Sequence, residues 1–124
     1  MLEIRTLGGL FLILDGITLN KIGSRKAEGL MVYMALENRP IDRQILSSLF
    51  WPESSQQNAD VSLRVALSKL RKYLDDYLII HRAFVEINAN VQIKVDYQQV
   101  IDLIANGQIE SALKMYKGDF LLFL

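Results

Sequence analysis

The stretch "VSLRVALSKLRKYL", residues 61–74, carries several basic side chains and no acidic one, in a chain whose formal net charge is zero. On a helical wheel of about 100° per residue, its leucines fall within about 40° of one line. These leucines are Leu63, Leu67, Leu70 and Leu74. The spacing predicts a helix that buries a leucine stripe and runs from about residue 55 to about residue 75.

The opposite face of this predicted helix has short side chains in its middle and basic ones around them. It comprises Val61, Arg64, Val65, Ser68, Lys69, Arg71 and Lys72. Solvated helix faces often pair a base with an acid four residues away, but this stretch contains no acid and the next one is Asp75. Two interpretations stay open from the stretch alone, namely a face that contacts a polyanion and an ordinary solvated surface.

Positive charge is concentrated in the middle of the chain. Residues 61–82 contain five bases and two acids, whereas residues 1–60 contain six bases and seven acids, and residues 83–124 contain three bases and five acids. We therefore expect any site for a polyanion to lie within residues 61–82.

Composition limits the other classes of function. A chain of 124 residues, 51% of them hydrophobic, suffices for one compact core. No apolar run approaches the length of a membrane span and no secretion signal is present, so we expect a cytoplasmic protein. The absence of cysteine and the single histidine, His81, argue against disulfides and metal sites. The sequence shows no nucleophile paired with a base and no phosphate-binding loop, so we expect neither an enzyme nor a cofactor.

The first third of the chain predicts a small antiparallel sheet followed by a helix. "LEIRTL" at 2–7 alternates like a strand, and "LFLIL" at 10–14 runs through an Asp-Gly turn into "ITL". Ser24 is placed to cap a first helix whose inward positions are Ala27, Leu30, Met31 and Met34.

Two more helices should follow. Asp42 is placed to cap a second helix, which ends at "WP". The residues of this helix expected to point inward are Ile45, Leu46, Leu49 and Phe50. Ser54 and Gln57 have the spacing of a capping box at the start of the third helix, the one that carries the basic face.

A hairpin should come next. "YLIIHRAFVEIN" at 77–88 contains two short apolar runs with Arg82 at or near the tip, and "VQIKV" at 91–95 is expected to complete its sheet. This order predicts an α+β winged helix-turn-helix fold with an N-terminal antiparallel sheet, three helices and a C-terminal β-hairpin. In that fold the third helix fits the major groove, and a basic hairpin tip reaches the adjacent minor groove or its phosphates.

These residues resemble the winged-helix domain of the Streptomyces antibiotic regulatory protein family, which is related to the DNA-binding domain of OmpR-type response regulators. The resemblance lies in "LEIRTLGGL" at 2–10, "GSRKAEGLMVYMAL" at 23–36, "RPIDRQILSSLFWPESSQQNADVSLRVALSKLRKYL" at 39–74 and "VD" at 95–96. It implies a sequence-specific transcriptional regulator, generally an activator. The implied partners are double-stranded DNA, RNA polymerase and a second copy bound in tandem on direct repeats.

The resemblance also implies roles for individual residues. Lys69 would contact a base edge and Arg71 and Lys72 phosphates, while Arg82 would be the arginine of the wing. The full set of DNA-binding residues is Arg64, Val65, Ser68, Lys69, Arg71, Lys72 and Arg82. "HRAFVEIN" departs from the family pattern, because it lacks the glycine pair and the tyrosine often found in the wing.

The last residues, 97–124, predict a helical hairpin around "NG" at 106–107. "ALKMYKGDFL" within them resembles the start of the bacterial transcriptional activator domain that follows the winged helix in the same family. We therefore expect a winged-helix domain over 1–96 and the start of a truncated helical domain over 97–124. The alternative function is a winged-helix module that binds protein without binding DNA.

Overall fold

A computed structural model of the protein describes residues 1–5, 10–95 and 107. The chain divides into two units, one formed by Met1–Asn20 with Gln92–Leu124 and the other by Lys21–Val91. The strands and helices of the described residues are β1 (Leu2–Arg5), β2 (Phe11–Leu14), β3 (Ile17–Thr18), α1 (Arg25–Glu37), β4 (Ile41–Asp42), α2 (Arg43–Phe50), α3 (Gln56–Leu74), β5 (Leu78–Ile80), β6 (Phe84–Ile87) and β7 (Ile93–Val95).

The first unit contains a four-stranded sheet in the order β3-β2-β1-β7. β1, β2 and β3 pair antiparallel as predicted, and the turn between β2 and β3 is made by Asp15 and Gly16. Both turn residues have positive φ, 51° and 84°. A two-residue hairpin of this kind needs φ > 0 at both positions, which explains why the Asp-Gly pair predicted it correctly.

The expectation that "VQIKV" completes the sheet of the hairpin is wrong. Within this stretch β7 pairs parallel to β1, with Ile4 opposite Val95, and makes no ladder with the hairpin. The hairpin of β5 and β6 is instead completed by β4, where Ile41 lies opposite Val85. Alternation of apolar and polar residues identifies a strand, but it does not identify the strand with which it pairs.

The caps of the first two helices agree with the prediction. The Ser24 hydroxyl accepts a hydrogen bond from the Ala27 N–H at 3.1 Å, and α1 ends at Asn38 in the left-handed conformation. The Asp42 carboxylate accepts from the Gln44 N–H at 2.7 Å at the start of α2. Each side chain satisfies a backbone donor that has no partner inside its helix.

The third cap lies one residue later than predicted. Ser55, rather than Ser54, accepts a hydrogen bond from the Asn58 N–H, at 3.2 Å. Ser54 is still part of the preceding turn, where its N–H donates to the Trp51 carbonyl. Because two serines are adjacent, sequence spacing alone could not separate the cap from the turn.

The core of the second unit contains the predicted leucine stripe. Leu63, Leu67, Leu70 and Leu74 are each at most 2% exposed. In α2, Leu46 and Phe50 are buried, but Ile45 and Leu49 are 53% and 40% exposed, so the expectation that all four point inward is wrong. The third buried residue of α2 is Ser47. Its hydroxyl donates a hydrogen bond to the Gln44 carbonyl and accepts one from the Gln56 side-chain amide. A helix rotated to bury this serine leaves the neighbouring Ile45–Leu49 row outside.

The predicted helical hairpin over 97–124 and the boundary at 96 lie outside the described residues, Gly107 excepted, and stay predictions. Among the helices that the structure describes, none is long and apolar enough to cross a membrane.

Candidate nucleic-acid interface

The exposed face of α3 carries the side chains that the helical wheel placed opposite the leucines. Arg64, Ser68, Lys69, Arg71 and Lys72 are exposed. Val61 and Val65 are 46% and 49% exposed, although both are apolar. The fold therefore presents one continuous surface of α3 in which valines and a serine are bordered by cations.

Arg82 lies at the tip of the β5–β6 hairpin, as predicted. The register of the two strands leaves Arg82 and Ala83 as a two-residue loop, closed by a hydrogen bond from the His81 N–H to the Phe84 carbonyl at 2.8 Å. The His81 ring stacks on Phe84 with 4.1 Å between centroids. Arg82 itself is exposed. The strands thus hold its side chain outside the core.

A cleft runs between α3 and the hairpin. Four cations and one acid contribute to its lining, which consists of Arg43, Arg64, Leu67, Ser68, Arg71, Lys72, Asp75 and Ile80. A second cleft adjoins it towards the hairpin tip and is lined by Asp42, Arg43, Gln44, Asp60, Leu63, Arg64, Arg82 and Ala83. The two share Arg43 and Arg64. We refer to them together as the basic groove, whose cations are Arg43, Arg64, Arg71, Lys72 and Arg82 and whose acids are Asp42, Asp60 and Asp75.

The predicted site residues do not all lie in the basic groove. Val65 and Lys69 line a separate cleft that also contains Ser24, Lys26, Trp51, Val61, Ser62 and Ala66. Arg64, Ser68, Arg71, Lys72 and Arg82 line the basic groove. The structure therefore distributes the predicted residues over two flanks of α3, with Lys69 on one flank and Arg71 on the other.

Most of these cations have no acidic partner. Among the residues that the structure describes, no carboxylate oxygen lies within 4.0 Å of a side-chain nitrogen of Arg43, Arg64, Lys69, Lys72 or Arg82. Arg71 differs, because its Nε donates to Asp75 at 2.9 Å in an exposed pair. Repulsion between neighbouring cations is relieved when an anionic ligand binds, so the surface is suited to a polyanion.

Lys26 lies outside the basic groove and contacts the end of α2. Its Nζ donates to the Phe50 carbonyl and lies 5.5 Å from the centre of the Trp51 ring. A cation at this position stabilises the carboxyl end of α2. Trp51 is half-buried, with its ring 6.2 Å from that of Phe50, in agreement with a packing role.

Arg43 is not among the residues that the sequence predicts for the site. It belongs to a block of the chain in which bases and acids balance, and it directly follows the capping Asp42. A base in the first turn of a helix opposes the helix dipole, and this was the one local signal of an additional role.

The chain is similar in structure to EmbR of Mycobacterium tuberculosis, solved in complex with a low-affinity phosphopeptide, with a TM-score of 0.62 and 21% sequence identity. The match covers 98% of this chain and 35% of the EmbR chain, so the chain spans about a third of that protein. No family model matches the chain, and no curated protein matches it. At this identity the likeness shows the fold, a mixed α+β arrangement that has three helices and two sheets in the part of the chain that the structure describes.

Proposed function

We propose that this chain is the DNA-binding domain of a transcriptional regulator with a winged-helix fold of the Streptomyces antibiotic regulatory type. In this proposal α3 enters the major groove and the hairpin tip lies at the adjacent minor groove or its phosphates. The observation that carries the proposal is the basic groove, which places cations of α2, α3 and the hairpin along one surface. The likeness to EmbR supports the fold on which it rests.

Affinity and specificity come from different parts of this surface. Phosphate contacts supply most of the binding free energy and position the protein, whereas contacts with base edges identify the sequence. We assign Arg64, Arg71, Lys72 and Arg82 to phosphates, because they form an exposed border along the groove. Val65, Ser68 and Lys69, which are also exposed on α3, are assigned to base edges.

Assembly belongs to the same proposal. We expect two copies to bind direct repeats in tandem and the bound protein to contact RNA polymerase, as the family resemblance implies. We do not propose a phosphopeptide as a ligand of this chain, because the chain matches only about a third of EmbR.

The proposal is tested by selecting duplexes from a randomised pool with the full chain at two salt concentrations. We expect a defined sequence to be enriched, more strongly at the higher salt concentration, because nonspecific phosphate binding weakens there. Failure of any duplex to bind at low salt would contradict the proposal.

Lys69→Ala should change which base is preferred. Loss of one contact with a base edge should cost about 1 to 3 kcal/mol on the selected duplex and flatten the preference at one position. Lys72→Ala, which removes the same charge from the phosphate-contacting border, should weaken all duplexes alike. Binding measured on a panel of single-base variants compares the two, and a uniform loss for Lys69→Ala would remove its assigned role.

We expect the exposed valine side chains of α3 to contact thymine methyl groups of the bound duplex. A valine on a solvated helix face lowers helix propensity relative to alanine, and an apolar contact with the thymine methyl can compensate for it. Replacing the contacted thymine by deoxyuridine removes one methyl group and should weaken binding by about fourfold. Val65→Ala should be insensitive to that replacement. Equal sensitivity of the two proteins would show that Val65 does not contact the methyl group.

A second candidate function is a module that binds protein instead of DNA. Its supporting observation is the apolar row of Ile45 and Leu49 on the outside of α2, next to Ser48 and Gln44. Exposed apolar patches often mark interaction sites. The low-salt duplex titration separates the two functions, because this module would show no salt-sensitive DNA binding.

A further inference from the structure

Arg43, the first residue of α2, is bonded to both ends of the hairpin tip. Its backbone N–H donates to the Ala83 carbonyl at 2.9 Å, and its side-chain Nη1 donates to the His81 carbonyl at 3.2 Å. Between these two carbonyls lies Arg82. One residue of another element therefore holds the 81–82 peptide group, directly before the exposed arginine, and the 83–84 peptide group, one residue after it.

The tip needs such support, because its own sequence does not favour a tight hairpin. Two-residue loops that match the twist of paired strands require positive φ, which glycine and asparagine supply. Neither Arg82 nor Ala83 has a positive φ. The bond between the His81 N–H and the Phe84 carbonyl closes the loop, but it does not fix the direction in which the loop leans.

Arg43 also connects the tip to the helix that carries the basic face. α2 packs on α3, and a hydrogen bond of 3.2 Å from the Gln56 amide to the Ser47 hydroxyl joins them. Arg43 is half-buried and lines both clefts of the basic groove. A path of hydrogen bonds and packed side chains therefore runs from α3 through α2 to the loop.

We propose that Arg43 is a positioning residue for DNA binding, which holds the hairpin tip so that Arg82 and α3 contact the same duplex. This inference rests on the proposed function. Arg43 acts through Arg82, because its side-chain donor is directed to the loop carbonyl and its backbone donor extends the β4–β6 ladder to the tip.

A double-mutant cycle on the full chain tests the inference. Arg43→Ala, Arg82→Ala and the double variant are compared with wild type for binding to the selected duplex, at several salt concentrations. Arg43→Ala should weaken wild-type binding and lower its salt slope, but change neither once Arg82 is already alanine. The departure from additivity should be roughly threefold or more. Arg39→Ala is the matched control, because Arg39 is exposed, pairs with Glu37 and lies outside the basic groove.

Two outcomes contradict the inference while leaving the proposed function intact. Additive effects would show that Arg43 contacts DNA independently of Arg82, and an unchanged affinity in Arg43→Ala would show that the tip does not need the side-chain bond to the His81 carbonyl. If Arg43→Ala does not fold, Arg43→Lys replaces it in the same cycle, since a lysine keeps the charge without the planar set of donors. Absence of binding by wild type would contradict the proposed function instead.

A measurement on the protein without DNA tests the positioning role of Arg43 separately from the proposed function. In the free protein, Arg43→Ala should lower the backbone order parameters of Arg82 and Ala83 from about 0.85 to below about 0.6, while Arg39→Ala leaves them unchanged. Order parameters that stay high in Arg43→Ala would overturn the positioning role, whatever the DNA titration shows.

Discussion

Raising the salt concentration from 50 to 200 mM should weaken duplex binding by the full chain roughly 150-fold. The estimate follows from the four cations assigned to phosphates, Arg64, Arg71, Lys72 and Arg82. Each neutralised phosphate contributes about −0.9 to the slope of log affinity against log salt, which gives a slope of about −3.6. A fluorescence titration of a labelled duplex at several salt concentrations measures this slope.

Variants of charged residues should change the slope or the affinity according to where the charge lies. Neutralising Arg71 or Lys72 should reduce the magnitude of the slope by about one each. Asp75→Asn should strengthen binding, because it releases Arg71 from the 2.9 Å pair with that carboxylate. Arg39→Gln removes a charge that is paired with Glu37 away from the basic groove, and should leave the slope unchanged. A slope near zero for wild type would exclude a phosphate-dominated interface.

The parts of the fold that local chemistry determines were predictable from the sequence. The leucine stripe of α3 follows from spacing along a single helix, and the caps at Ser24 and Asp42 follow from a side chain and the backbone a few residues away. The Asp15–Gly16 turn is local in the same sense. In each case the residues that determine the structure lie close together in the chain.

Apart from the cap of α3, which lies at Ser55 rather than Ser54, the errors concern contacts between distant residues. β7 pairs with β1, and β4 pairs with β6, although neither pairing is encoded in the alternation of the strands themselves. The side of α2 that is buried depends on Ser47 finding partners in Gln44 and Gln56, so apolar character alone misplaced Ile45 and Leu49. Tertiary packing overrides local preference at these positions.

In the candidate site, too, the features set by residues close in sequence were predictable and those set by tertiary contacts were not. The cations of α3 and the hairpin tip were found because they are close in sequence and form one positive block. Arg43 was missed because it enters the groove only through the packing of α2 on α3 and through the pairing of β4 with β6. The separation of Lys69 from Arg71 into two clefts is likewise visible only in the folded chain.

Leu70→Ala should lower the free energy of unfolding by about 2 to 5 kcal/mol. Leu70 is fully buried in the leucine stripe of α3, so its truncation loses apolar burial and leaves a cavity. Because a domain of this size is stabilised by only about 5 to 15 kcal/mol, the variant should unfold at a clearly lower urea concentration. Urea titration followed by far-ultraviolet circular dichroism gives the midpoint and the slope.

Val65→Ala on the opposite face of the same helix is the matched control. Its side chain is about half exposed, so truncation should change the free energy of unfolding by no more than about 0.5 kcal/mol, while alanine's higher helix propensity offsets the lost contacts. The same variant should lose the response of DNA binding to the thymine methyl, whereas Leu70→Ala, measured where it is folded, should keep it. Equal destabilisation by the two substitutions would mean that Val65 is part of the packed core, and its assignment to the DNA-binding face would then be wrong.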